Sequence, residues 1–510
     1  MVYDGQFDWS AATEITSARL DNIEFAAAHS ALRIYHDGTS WPARTSVTTS
    51  LTTPVDWVGP APLPTDFQLG PDTLWDTSAT ATVSSTPYRY GGQPLFAPWP
   101  NSAGTPWQGT PASWTAPAAA ASVVKADTAV TLAGDTSYTL VTAGNGALVS
   151  GVNASQPAFS ITANPGHALA VWIWVDDPTR VASMAVYAGT SSGNSYYWNL
   201  VTSAPTADKP ILYPNRWRRF TLHPSASSGK DGTPVDTGIN RVVFNVTDTG
   251  SAVTARISNR MEWVPSATTS FPNGVVSFDF DDSYLSVKNA IPLLGQHGWR
   301  ASLAPILSLV GASSSLYLTW NDIQEIQGNL GWPVKSHCRY NTTPIAEHAG
   351  FATLSEQQMV DAISGTRDAI MGRGLFGSED WAAPNGSYGT GVESLMVAQI
   401  LQPYIRSARV TQGTRVAETL PPGDRYMLAN KSDVGGPSNP ITNYTTATTG
   451  LLDKCKAAKG WLHLTIHSVI TSGTATTNQI TTTDLATLLT AIDTKGMAVA
   501  PTAEVMEALR

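Results

Sequence analysis

The chain has 510 residues, of which 42% are hydrophobic and only 14% charged, with 41 Gly and 34 Pro. That length exceeds what one hydrophobic core serves, so roughly two to four domains are expected, and the apolar content excludes disorder throughout. Acidic residues outnumber basic ones 39 to 30, giving a formal charge of -9 without any dense Lys/Arg run, which argues against a nucleic-acid partner.

The start, Met1 to Gln6, lacks a basic region followed by an apolar one, and no stretch reaches the roughly 18 apolar residues that a membrane span needs. The expectation is a protein made in a cytoplasm, without a standard secretion signal or membrane span. Residues Thr16 to Arg33 carry Ala18, Leu20, Ile23, Ala27 and Leu32 loosely at helical spacing, with Thr16 or Ser17 as N-cap. The helix packs on its own domain or starts a short oligomeric coil. From Ser46 to Asn101 the crowding of Pro, Gly, Thr and Trp predicts irregular structure with short strands. Pro98 to Ala121, richer still in small residues and Pro, reads as a linker, closing a first region of residues 1–110.

Between Ser122 and Pro265 short alternating runs recur, among them Ser137 to Val141, Ala168 to Val175, Trp217 to Leu222 and Arg241 to Val246. They predict an antiparallel β-sandwich over residues 122–265. The order of the runs resembles jelly-roll carbohydrate-binding modules, and a purely structural spacer fits the pattern equally.

After Phe271 the rhythm changes to strand then helix: a strand Val275 to Phe280, a helix to His297, a strand Arg300 to Leu307, a helix near Trp320, a strand Trp332 to Ser336 and a helix from Ser355 to Arg373. Parallel strands in an α/β barrel or a doubly wound sheet are expected, with chemistry at the C-terminal strand ends. The first strand runs into Asp281-Asp282, two acids able to divide the work of base and metal ligand. A later strand ends in His337, with Asn341 four residues on; carboxylate, imidazole and carbonyl oxygen suit zinc or another first-row divalent ion. Trp381 to Gly386 forms a Pro/Gly loop, and Gly460 to His467 is a strand ending in a second His. His463, on the same strand face as His467, reads as structural, and His297 and His348 as surface or capping groups. Cys338 and Cys455 stand in dissimilar contexts and read as free thiols.

Phe280-Asp281-Asp282-Ser283-Tyr284 resembles the FDDGY motif of the polysaccharide deacetylase family, the NodB homology domain. His337-x-x-x-Asn341 is similar to its H-[ST]-x-x-H motif, Ala382-x-Pro384-Asn385-Gly386 to R-x-P-Y-G, Leu464 to His467 to its late L-x-x-H strand, and Lys495 to Pro501 to its closing strand before a short terminal helix. The resemblance spans residues 271–510 and implies a distorted (β/α) barrel. It further implies Asp281 as general base, His467 as general acid, Asp282, His337 and Asn341 as metal ligands, and the Asn385 backbone NH as oxyanion donor. Three positions depart from the family: Asn341 replaces a ligand His, Ser283 replaces Gly, and Ala382 replaces the Arg that orients the base. A catalytically inactive descendant, serving in receptor binding or structure, is therefore the alternative to an enzyme.

Ser17-Ala18-Arg19-Leu20-Asp21-Asn22-Ile23-Glu24 and Leu69 to Ser78 resemble segments near the start of bacteriophage minor tail proteins. That likeness implies a virion protein of the tail tip, made in the host cytoplasm. Its partners would be other tail proteins, further copies of itself in a homo-oligomer, and a host cell-envelope polysaccharide.

Overall fold

A computed structural model describes residues 104–509, apart from 133–134, 204–210, 266–269, 411–416 and, but for Val397 and Leu401, 389–403. The expected N-terminal helix and the tail-like segments lie outside the described residues.

The alternating runs form two antiparallel sheets around one apolar core. In the larger sheet, His167–Val175 pairs with Thr254–Ser258 and Glu262–Pro265 along one edge and with Arg218–Leu222 along the other. The smaller has five strands in the order Leu148–Asn153, Arg241–Asp248, Val181–Ser191, Asn194–Val201 and Gly229–Gly232. Leu169, Val171 and Ile173 from one sheet meet Val186, Trp198 and Phe244 from the other. His167–Val175 is buried on both faces, because Trp172 and Trp174 pack with Trp217 and Leu132 on the side away from that core. The sandwich also starts earlier than residue 122. Thr105–Pro106 pairs with Glu262 and Trp263, and Trp107 and Trp114 join the core, so two large apolar rings convert part of the expected linker into structure.

The strand-helix region closes into a parallel barrel. Strand β1 (Val275–Asp281) lies between β2 (Ser302–Ala304) and β6 (Trp461–Ile466). Beyond β6 follow β5 (Leu428–Lys431), β4 (Ser407–Val410) and β3 (Asp380–Ala382). Residues 334–338 bridge β2 to β3 through the parallel pairs Leu303 with Val334 and Ser336 with Trp381, which completes the ring. The strand expected from Trp332 to Ser336 is thus a run of single bridges, and that expected from Arg300 to Leu307 pairs continuously only over β2. All seven residues of β1 are buried, as a parallel strand covered on both faces must be.

Outside the ring lie α1 (Ile291–Gln296), α2 (Trp320–Leu330), α3 (Glu356–Met371), α4 (Leu451–Ala458), α5 (Thr482–Thr494) and α6 (Thr502–Ala508). Two of them start on reciprocal caps, Thr319 with Asp322 and Ser355 with Gln358, each satisfying otherwise orphaned backbone NH groups. Among the described residues no helix is long and apolar enough to cross a membrane.

Candidate metal and acid-base site

The site is built where β1 ends. Asp279 and Asp281 share one strand face, and a single guanidinium joins them: Arg409 donates from Nε to Asp279 and from Nη2 to Asp281. Lys335 Nζ adds a bond of 2.8 Å to Asp279. Two acids and two bases thus neutralise one another in the barrel interior, each at most 5% exposed. Burial pushes the Asp279 carboxyl up, but the Lys335 and Arg409 cations outweigh it and hold it well below the usual range. Arg409 sits on β4 directly beside Ala382 of β3, the position where the sequence comparison had left the base without its arginine. The expected loss is corrected: the guanidinium arrives from the neighbouring strand.

Past Asp281 the chain turns sharply, with Asp282 at φ 66 and Ser283 at φ 64. Left-handed backbone costs a non-glycine residue about 1–2 kcal/mol. Here the bonds Asp282 NH to Ala304 O (3.1 Å), Leu318 NH to Ser283 O (2.8 Å) and Ser283 Oγ to Ile306 O (3.3 Å) hold it. The turn sends the two neighbouring acids different ways. Asp281 stays on Arg409, while Asp282 Oδ1 comes to 3.4 Å from His337 Nε2 and 3.4 Å from His348 Nε2. His337 is oriented by its other ring nitrogen, 2.7 Å from Ala382 O.

His348 was expected to be a surface or capping group, and it is neither. It stands in the group where the family pattern pointed to Asn341, eleven residues after His337 instead of four. The intervening loop is folded around a fully buried carboxylate. Glu347 accepts from the NH groups of Arg339 (2.7 Å) and Tyr340 (3.2 Å) and from the Arg339 side chain at 2.6 and 2.9 Å. His348 NH donates to Tyr340 O, Ala349 NH to Asn341 O, and Asn385 Nδ2 to His348 O at 2.8 Å. In the described geometry Asn341 therefore supports the loop that delivers the second imidazole.

One carboxylate oxygen and two imidazole nitrogens, all within 4.8 Å of one another, form a donor set suited to a first-row divalent ion. Asp282 Oδ1 is also buried without a hydrogen-bond partner, as a ligand atom would be. Burial raises the Asp282 carboxyl, but the two imidazoles and His467 overcome this and hold it well below the usual range, so it is anionic. The residues fit a metal.

His467, at the end of β6, places Nε2 3.8 Å from Asp282 Oδ2 and Nδ1 3.3 Å from Asp433 Oδ1. Burial pulls this imidazole down; Asp433, Asp281 and Asp282 more than offset it, so its pKa is raised. Asp433 was missed by sequence reading. Its only signal is an acid shortly after the C-terminal end of β5, where a barrel carries chemistry.

Asn385 adopts φ 52 in the turn Pro384–Gly386. His463 is buried deeper, held neutral by burial and Lys335 against the pull of Asp279. His297 lies 3.6 Å from Asp493 and stacks on Trp299, outside the site. Both cysteines are free and buried.

No family model matches the chain, and no curated protein matches it. Solved structures do. The Xyl-CE4 domain of a multidomain xylanase from the hindgut metagenome of Trinervitermes trinervoides matches at 13% identity and TM-score 0.29, over 46% of this chain and 90% of that one. The Bc1960 peptidoglycan N-acetylglucosamine deacetylase matches at 13% and 0.30, over 46% of this chain and 87% of that one. A CE4 family pseudoenzyme from Bacillus anthracis matches at 14% and 0.29, over 46% and 66%. With likenesses this distant, the functional assignment rests on the site's own geometry.

Proposed function

We propose that the barrel is a metal-dependent deacetylase of acylated glycans, most simply a zinc enzyme hydrolysing an acetamide. The observation that carries this reading is the Asp282, His337 and His348 donor set lying between an Arg409-bound Asp281 and an Asp433-paired His467. A divalent ion held by Asp282, His337 and His348 would supply Lewis acidity toward the acyl carbonyl and an attacking water. Asp281, kept in place by Arg409, takes the proton of that water as its oxygen bonds to the acyl carbon. By the family resemblance, the backbone NH of Asn385 would serve the developing oxyanion. His467, its pKa raised by its carboxylate neighbours, gives its proton to the amine nitrogen as the C–N bond breaks. The products are a free amine on the sugar and a carboxylic acid.

The inactive alternative drew its support from Asn341 and Ala382, and His348 and Arg409 supply what those two positions lack. The polymer substrate, the tail-tip location and a homo-oligomer held through residues 1–110 are supported by the sequence resemblances, and they make a host envelope glycan the natural target.

The full chain should release acetate from N-acetylated envelope glycans and bind about one equivalent of zinc, with Asp282→Ala and His348→Ala abolishing zinc binding in calorimetry. Asp281→Asn should keep the zinc and lose acetate release by roughly 10²–10⁴-fold. Zinc binding that survives His348→Ala but not Asn341→Ala would refute the ligand set. A fully metallated protein that releases no acetate from any such glycan would return the reading to a binding protein.

A further inference from the structure

A second feature lies on the sandwich, in the outward face of its five-stranded sheet. Along Val181–Ser191 the neighbours Val186 and Ala188 enter the core, so Tyr187 between them points outward and is half-buried. Along Asn194–Val201 the same holds for Tyr197, between the core residues Tyr196 and Trp198. The two tyrosines are direct cross-strand partners, with ring centroids 5.2 Å apart and planes only 32° from parallel. Tyr197 is paired in turn with Gly229, where a Cβ would run into the phenol, so this ring lies down against the sheet.

The next outward row is polar. Asn199, Ala185, Asn245 and Ser150 stand side by side in register. Ser150 Oγ donates to the Asn245 side-chain oxygen, and Tyr187 is hydrogen-bonded to Asn245. A packing role explains poorly why two rings should lie outward beside a row of amides and a hydroxyl. A hydroxyl-rich ring with apolar C–H faces needs both: a flat aromatic surface for one face, and fixed donors and acceptors at its edge.

We propose that this face binds a neutral glycan chain, with a pyranose ring stacked on Tyr187 and Tyr197 and its hydroxyls directed to Asn245 and its row. The site shares no residue with the barrel's metal group, so it stands or falls separately from the deacetylase reading. In calorimetry with the full chain, four probes represent neutral β-1,4-linked pyranose chains: chitohexaose, cellohexaose, xylohexaose and mannohexaose. At least one should bind. Tyr187→Leu and Tyr197→Leu, which keep bulk and strand preference, should each weaken that binding by at least about tenfold. Tyr197→Phe should stay within about threefold, because the ring face is kept. Circular dichroism checks that each variant is folded. Binding to none of the four probes overturns the proposal, as does binding undiminished in both leucine variants.

Discussion

His467 faces carboxylates on both sides, Asp433 at Nδ1 and Asp282 at Nε2. Burial alone would favour its neutral form, and the carboxylates reverse that, leaving the folded pKa raised. A raised value keeps the imidazolium populated to higher pH, and the acid is lost as pH climbs through the folded pKa. Activity should therefore show an alkaline limb. His467→Ala should remove the limb together with most of the rate, and Asp433→Asn should move it to lower pH. A rate profile whose shape survives His467→Ala would remove this residue from the acid role. At this scale Asp281, Asp282, His337 and His467 were legible, because each ends a strand in a recognisable local motif. His348, Arg409 and Asp433 were not, since each acts on a partner far away in the chain.

Between elements the decisive relation is the register of β3 and β4, which sets Ala382 beside Arg409. A guanidinium needs only to reach the carboxylate, and adjacent parallel strands lie about 5 Å apart, so either strand can supply it. Arg409 is buried, and removing it strands the Asp281 carboxylate and leaves Asp279 to Lys335 alone. Arg409→Met should lower the unfolding free energy by about 3–5 kcal/mol in urea titrations. Adding Asp281→Asn should recover part of that loss, since the orphaned charge disappears. A cost below about 1 kcal/mol for the single change would mean that the interior solvates these acids without Arg409. The loop delivering His348 follows the same logic, with buried Glu347 held by the partly exposed Arg339.

Across the whole molecule the sandwich and the barrel are joined by buried polar groups. Tyr213 OH donates to Asp424 at 3.0 Å, Arg218 Nη2 to Met427 O at 3.1 Å, and the hydroxyls of Thr221 and Thr419 are hydrogen-bonded. His223 follows the same sandwich strand, its ring capping Ser225 NH at 3.1 Å. Burial, with His167 nearby, lowers its pKa from 6.5 to about 4. Between those values the unfolded chain binds the extra proton, so stability present above pH 6.5 drains away as pH falls toward 4. The loss from this one group is about 3 kcal/mol. His223→Asn, which can still cap Ser225, should flatten that part of the curve of urea midpoint against pH. An unchanged slope would assign the acid sensitivity elsewhere.

Alternation of period two between residues 122 and 265, and strand-helix alternation after 271, are local properties of the chain, and they were enough to place a β-sandwich before an α/β unit. The Asp281-Asp282 pair and the histidines at strand ends were legible for the same reason: the strand that positions them is adjacent in sequence. Only the closed barrel decided which groups meet. It brought in His348 from a loop folded on Glu347, Arg409 from the next strand and Asp433 from the end of β5, just as the packing of the two sheets drew Trp107 and Trp114 into the sandwich core. Contacts of this kind depend on ring closure and strand register, which no local pattern encodes, whereas a strand end and the residues after it need only the chain itself.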